Sequence, residues 1–130
     1  MQIAVCSDFF LTPCIEGMEQ LADAGFTGIE LICENPHLDL GQLNGADIDA
    51  ISRLKQDRGL DIIVHAPFYD LNAASWNDQI REVTSKLYRN AINLAKRIGS
   101  PLVVLHMGDR SSDKMSRDEA IERNGRTLKE

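Results

Sequence analysis

Two histidines stand where an apolar residue would cost less. In "DIIVHAPFYDLN", Asp61 to Asn72, the run Ile62, Ile63, Val64 ends on His65. In "PLVVLHMGD", Pro101 to Asp109, the run Leu102 to Leu105 ends on His106. Neutral imidazole is the side chain best suited to hold a divalent metal or pass a proton near pH 7. Strand alternation puts Ile63 and His65 on one face, and Leu102, Val104 and His106 on one face of the next strand. Adjacent strands lie ~4.8 Å apart. Two imidazoles at equal height could therefore share one ion, since Zn–N bonds are ~2.0–2.1 Å. A firm site would need further donors, usually including a carboxylate. Glu30, set among Ile29, Leu31 and Ile32, is the carboxylate most at odds with its neighbours, because a charge in an apolar strand is costly unless paired or functional.

The bland alternatives are plain. A strand-end histidine often serves only as a hydrogen-bonding residue; two in equivalent places give the metal reading its weight. His37, in a polar loop, is expected to be solvated. Trp76 is expected to pack rather than carry substrate, and Cys6, Cys14 and Cys33, which lack metal-type spacing, to fill core.

The elements that must position these residues are legible as four short apolar stretches, 2–6, 28–33, 62–65 and 102–106. Such nearly continuous runs suit strands buried on both faces. Helical periods lie between them. The first helix is read with Thr12 as cap, Pro13 in the first turn, Ile15, Met18, Leu21 and Ala22 on one face, and Gly25 as stop. The second runs from about Asp47 to Arg58, stopped by Gly59. The third is read with a Ser75–Asp78 capping box, a stripe of Ile80, Val83, Leu87, Ala91, Leu94, Ala95 and Ile98, and Gly99 as stop. The fourth starts at Ser116 with Glu119 in capping-box spacing, carries Ile121 and Leu128, and meets no stop signal.

The order β-α-β-α-β-α-β-α implies parallel strands with right-handed crossovers. In such folds function collects at the C-terminal strand ends. Those ends are polar: Ser7 and Asp8; Glu34 and Asn35; Tyr69, Asp70 and Asn72; Gly108 and Asp109. Glu30, Tyr69 and Asn72 are the candidate substrate-binding residues, and His65 and His106 the candidate metal ligands. Two architectures compete. One is half of a (β/α)₈ barrel, with strands in the order 1-2-3-4. The other is a small open doubly wound sheet, whose order would be 2-1-3-4.

With 130 residues the chain suits one domain, 1–130. Its net charge of −6 is a poor footprint for nucleic acid, whose binding rests on phosphate neutralisation, and argues against a membrane surface. No apolar run approaches the ~20 residues of a span. An odd cysteine count, behind a start unlike a secretory leader, points to a reducing cytoplasm. Phosphate loops, dinucleotide fingerprints and nucleophile elbows are absent from the sequence.

"HAPFYDLNAAS" (His65 to Ser75), "VVLHMG" (Val103 to Gly108) and "LADAGFTGIEL" (Leu21 to Leu31) resemble the xylose isomerase-like TIM-barrel superfamily. That group holds endonuclease IV (AP endonuclease family 2) and sugar phosphate isomerases and epimerases. The resemblance covers nearly the whole chain and implies the N-terminal (β/α)₄ half of such a barrel. It implies a divalent metal (Zn, Mn or Mg) in the complete enzyme, with none required in this chain alone. In the endonuclease branch the histidines matching His65 and His106 are zinc ligands. In the sugar branch the metal is held by Glu, Asp, His and Glu of the later strands, and the early histidines line the substrate pocket. The expected activity is sugar or sugar phosphate isomerisation by metal-assisted proton transfer beside a carbonyl. The catalytic glutamates would then lie beyond Glu130. Two other readings stand beside it: a zinc phosphodiesterase acting on abasic DNA, and a non-catalytic half-barrel or assembly module. Exposed strand edges and apolar faces further imply a homo-oligomer.

Overall fold

The computed structural model describes residues 3–7 and 12–129; Asp8, read above as a strand-end residue, lies outside them. The described chain alternates strictly: β1 Ala4–Cys6, α1 Cys14–Asp23, β2 Gly28–Ile32, α2 Gly45–Asp57, β3 Asp61–His65, α3 Asp78–Ile98, β4 Val103–Val104 and α4 Arg117–Thr127. All three strand pairs are parallel, in the order β1-β2-β3-β4. That order excludes the doubly wound alternative. The architecture is a partial TIM barrel.

The sheet has one dry face. Ile29, Leu31, Ile62 and Val64 are at most 1% exposed and pack with Met18, Ile51, Ala91, Leu94 and Ile98 of the helices. On the opposite face Cys6, Glu30 and Ile63 lie in one register row and Ile32, His65 and Val104 in the next. Cys6, Glu30, Ile63 and Val104 are only half-buried. The expectation of strands buried on both faces therefore fails for this second face, where polar side chains can meet a ligand.

Helix starts needed correction. Pro13, not Thr12, is the cap residue of α1, and no side chain caps it. α2 begins at Gly45, two residues before the expected start: Asn44 Oδ1 accepts from Ala46 N and Asp47 N, and Asp47 Oδ2 accepts from Asn44 N. α3 is capped by Asn77, while Ser75 Oγ accepts from Asn77 N in the turn before it. The stops were read correctly, for Gly25, Gly59 and Gly99 all have positive φ.

The α3 stripe is right only in its second half. Ala91, Leu94, Ala95 and Ile98 are buried; Ile80 and Val83 are exposed, and Thr84, Ser85 and Tyr88 are buried instead. Length explains it. A helix of 21 residues is ~31 Å long, whereas a strand of five residues such as β3 spans roughly 17 Å. The N-terminal half of α3 overhangs the sheet and packs against loops. There Thr84 Oγ1 accepts from Asn72 N, and Arg81 donates to the Ser75 carbonyl. No described helix is long and apolar enough to cross a membrane.

Candidate active-site face

His65 closes β3 and is 6% exposed. Its Nδ1 lies 2.8 Å from the Ala66 carbonyl oxygen. That oxygen can only accept, so Nδ1 carries the hydrogen and the Nε2 of the neutral ring keeps its lone pair. Nε2 points at His106, with the two Nε2 atoms 3.2 Å apart. The rings stand edge to face, 4.9 Å between centroids. Glu30 Oε1 is 4.0 Å from the same His65 Nε2. The two histidines and the glutamate singled out from the sequence thus converge, although β4 stops at Val104, short of His106.

His106 is exposed, yet held. Its carbonyl accepts from the buried Tyr88 hydroxyl at 2.6 Å; burial raises the Tyr88 pKa. Its ring stacks on Phe68, 4.5 Å between centroids and 28° between planes, and Phe68 also meets His65 edge-on at 5.1 Å. Phe68 was missed in the sequence, although its place in H-A-P-F, three residues after His65, was a usable signal. Its loop is tied to β2 by Glu34, whose Oε1 accepts from Phe68 N and Tyr69 N at 2.5 and 2.7 Å.

The other candidates behave differently. Tyr69 is 61% exposed, with its ring tilted against Phe68 at 4.4 Å. Asn72 has both ends of its amide committed to loop bonds: Nδ2 donates to the Asp109 carbonyl and Oδ1 accepts from Ala74 N. It shapes the rim. Gly108 lies against the same loop so closely that a Cβ there would collide with Asn72 Oδ1 and the backbone nitrogens of Ala73 and Ala74. From α4, Asn124 bonds both the N–H and the carbonyl of Gly108, and Thr127 Oγ1 donates to the Ala73 carbonyl. Trp76 Nε1 donates to Glu119, and this bond, with Arg123 beside it, lowers the Glu119 pKa.

His37 overturns its expectation. It is 4% exposed. Its Nδ1 donates to the Thr12 carbonyl at 2.6 Å, and its Nε2 accepts from the Ser7 hydroxyl at 2.7 Å. Ser7 Oγ in turn accepts from Ile32 N. This chain of bonds ties the loop after β2 to the end of β1. Cys14 and Cys33 are buried as expected; burial pushes the Cys14 thiol up to about 12 and raises that of Cys33 too.

The donor set fits a divalent ion in part. Two nitrogens bound to one tetrahedral zinc at ~2.0–2.1 Å sit about 3.4 Å apart, close to the 3.2 Å between the two Nε2 atoms. The Nδ1–H of His65, donated to a carbonyl, is the outer bond that commonly orients a ligating imidazole. Among the described residues no group of three or more His, Cys, Asp or Glu forms a cage, so the face offers a partial set.

Comparison with known proteins agrees with this fold. Residues 18–130 match the family described as xylose isomerase-like TIM barrel. An uncharacterized protein of Methanocaldococcus jannaschii is 36% identical over 109 residues, covering 83% of this chain and 36% of that protein. A D-tagatose 3-epimerase-like protein superposes with a TM-score of 0.84 at 32% identity, over 99% of this chain and 46% of that one. Endonuclease IV from Thermus thermophilus superposes with a TM-score of 0.67 at 17% identity, over 98% of this chain and 45% of that one, a likeness of fold alone. The chain spans less than half the length of each of these three proteins. It belongs to the xylose isomerase-like TIM-barrel family.

Proposed function

We propose that residues 1–130 are the N-terminal (β/α)₄ portion of a sugar or sugar phosphate isomerase or epimerase. The observation that carries this reading is the convergence of His65, His106 and Glu30 on the half-buried sheet face, in a chain 32% identical to a D-tagatose 3-epimerase-like protein over 99% of its length. His65 and His106 would orient the substrate or a divalent cation bound by donors of later strands, and such an ion supplies Lewis acidity to sugar oxygens beside a carbonyl. The residues on this face do the rest. The Nδ1–H bond of His65 keeps its Nε2 lone pair aimed at the substrate side. Phe68 shields one face of the His106 ring from water. Glu30 places a carboxylate within reach of sugar hydroxyls, and the exposed Tyr69 lines the entrance. Proton abstraction is assigned to carboxylates of later strands, as the family resemblance implies. The reduced thiols of Cys6, Cys14 and Cys33 support a cytoplasmic location.

The endonuclease reading shares the fold and the histidines. The net charge of −6 weighs against it, because phosphate contacts need cations.

The test is proton exchange beside the carbonyl of ketohexoses and ketose phosphates in D2O with added Mn²⁺, using the longest form of the protein its gene encodes. Deuterium is expected to enter the sugar, and His106→Ala is expected to lower kcat/KM at least about 100-fold, the scale of losing one positioned group. Cleavage of an abasic duplex without exchange into any ketose would overturn the proposal. The 130-residue chain alone is expected to give no turnover.

A further inference from the structure

Among the described residues Glu34 makes no hydrogen bond to either histidine, yet one contact of the exposed His106 ring, its stacking on Phe68, leads back to it. Among the described residues the ring stacks on Phe68 and meets His65 at its Nε2. His65 is buried and fixed by its own bond to Ala66. Phe68 belongs to the loop after β3, and one carboxylate oxygen of Glu34 receives the N–H groups of Phe68 and Tyr69 together. Two successive backbone N–H groups converging on an anion form a charge-assisted clamp with a defined direction. The residue that follows, Asp70, has φ 58°, in the left-handed region where aspartate is one of the better tolerated side chains. The turn bends the chain at the point where the clamp grips it.

We propose that Glu34 is a positioning residue: by clamping the Phe68–Tyr69 backbone it holds the Phe68 ring on His106 and so aims His106 Nε2 at His65 Nε2. This deepens the functional reading above and rests on His65 and His106 being the donor pair of the site. An exposed imidazole otherwise exchanges among rotamers within nanoseconds. A donor pair assembled only part of the time binds more weakly by the fraction assembled. Glu34 thus contributes to the site from the neighbouring strand without lining it.

The experiment is NMR of the imidazole C–H and ring nitrogen signals in the metal-free 130-residue chain, so that its outcome does not depend on which reaction the complete protein catalyses. In the wild type the His106 ring protons are expected upfield, shifted by the stacked Phe68 ring. Phe68→Leu, which removes the aromatic ring and keeps the clamp, sets the signal of an unstacked His106. Glu34→Ala is expected to move the His106 signals to that same position while the His37 signals stay put. If Glu34→Ala does not fold, Glu34→Gln, which keeps one carbonyl acceptor, replaces it and is expected to move the same signals part of the way. A folded Glu34 variant whose His106 signals remain at the wild-type position would overturn the proposal. Failure of the isomerase reading would show only in the exchange assay.

Discussion

The two histidine clusters of this chain sit at neighbouring strand ends and could hardly differ more. His37 gives each ring nitrogen a fixed partner of the complementary kind, a carbonyl that accepts and a hydroxyl that donates. His65 and His106 turn their Nε2 atoms toward each other, with the Glu30 carboxylate 4.0 Å from His65 Nε2 and Phe68 against both rings. Burial does not separate them, since His37 and His65 are 4% and 6% exposed. What separates them is the partner: His37 bonds a backbone carbonyl and a buried hydroxyl, whereas His65 Nε2 meets a second imidazole that is itself exposed.

Mutation should sharpen that contrast. His37→Ala should have the largest effect on stability, about 2–4 kcal/mol, because it opens a cavity and leaves the Ser7 hydroxyl and Thr12 carbonyl without their partner. Urea denaturation would measure it, and a loss below about 1 kcal/mol would break the contrast. Tyr88→Phe should cost about 1 kcal/mol, the net worth of one hydrogen bond, on the same assay. It should also loosen the His106 backbone, read as faster amide exchange at 106–108.

His106→Ala should alter stability by less than about 1 kcal/mol, since the residue is exposed. Its consequence should appear in metal binding instead. With two donors the chain alone should bind zinc weakly, and calorimetry should find that weak binding abolished by His106→Ala. A tight 1:1 site that survives the substitution would mean the pair is not the donor set. The smallest effect is expected at the Trp76–Glu119 bond. The Glu119 pKa is lowered in the folded chain, so its contribution is present above the ordinary carboxylate range and is lost as pH falls through the folded value. Glu119→Gln should lower stability slightly at pH 7, where the charged carboxylate contributes, and flatten the stability curve below pH ~4.5.

Much of this was readable from the order of residues. The four β/α units, their glycine stops and the meeting of His65 with His106 follow from periodicity and strand alternation, which are local signals. His37 was not readable. Its partners lie 25 and 30 positions earlier, and nothing in a polar loop announces that it will be folded under. Ile80 and Val83 misled for a related reason. A helical period says which residues share a face, but not where the sheet beneath that face ends. Asn77 won the α3 cap from Ser75 because the serine was already closing the preceding turn. Phe68 and Glu34 lay in plain view, but their roles exist only between loops.

Gly108 gives the site a mechanical character. The loop after β4 rests on the loop after β3 with only a hydrogen atom between them, and Asn72, Asn124 and Thr127 bind the two together from both sides. Neither loop can slide or lift without carrying the other. A displacement at Met107 or Asp109 is therefore felt at Asn72, Ala73 and Ala74 of the loop after β3. The rim of the site works as a single jaw rather than two fingers.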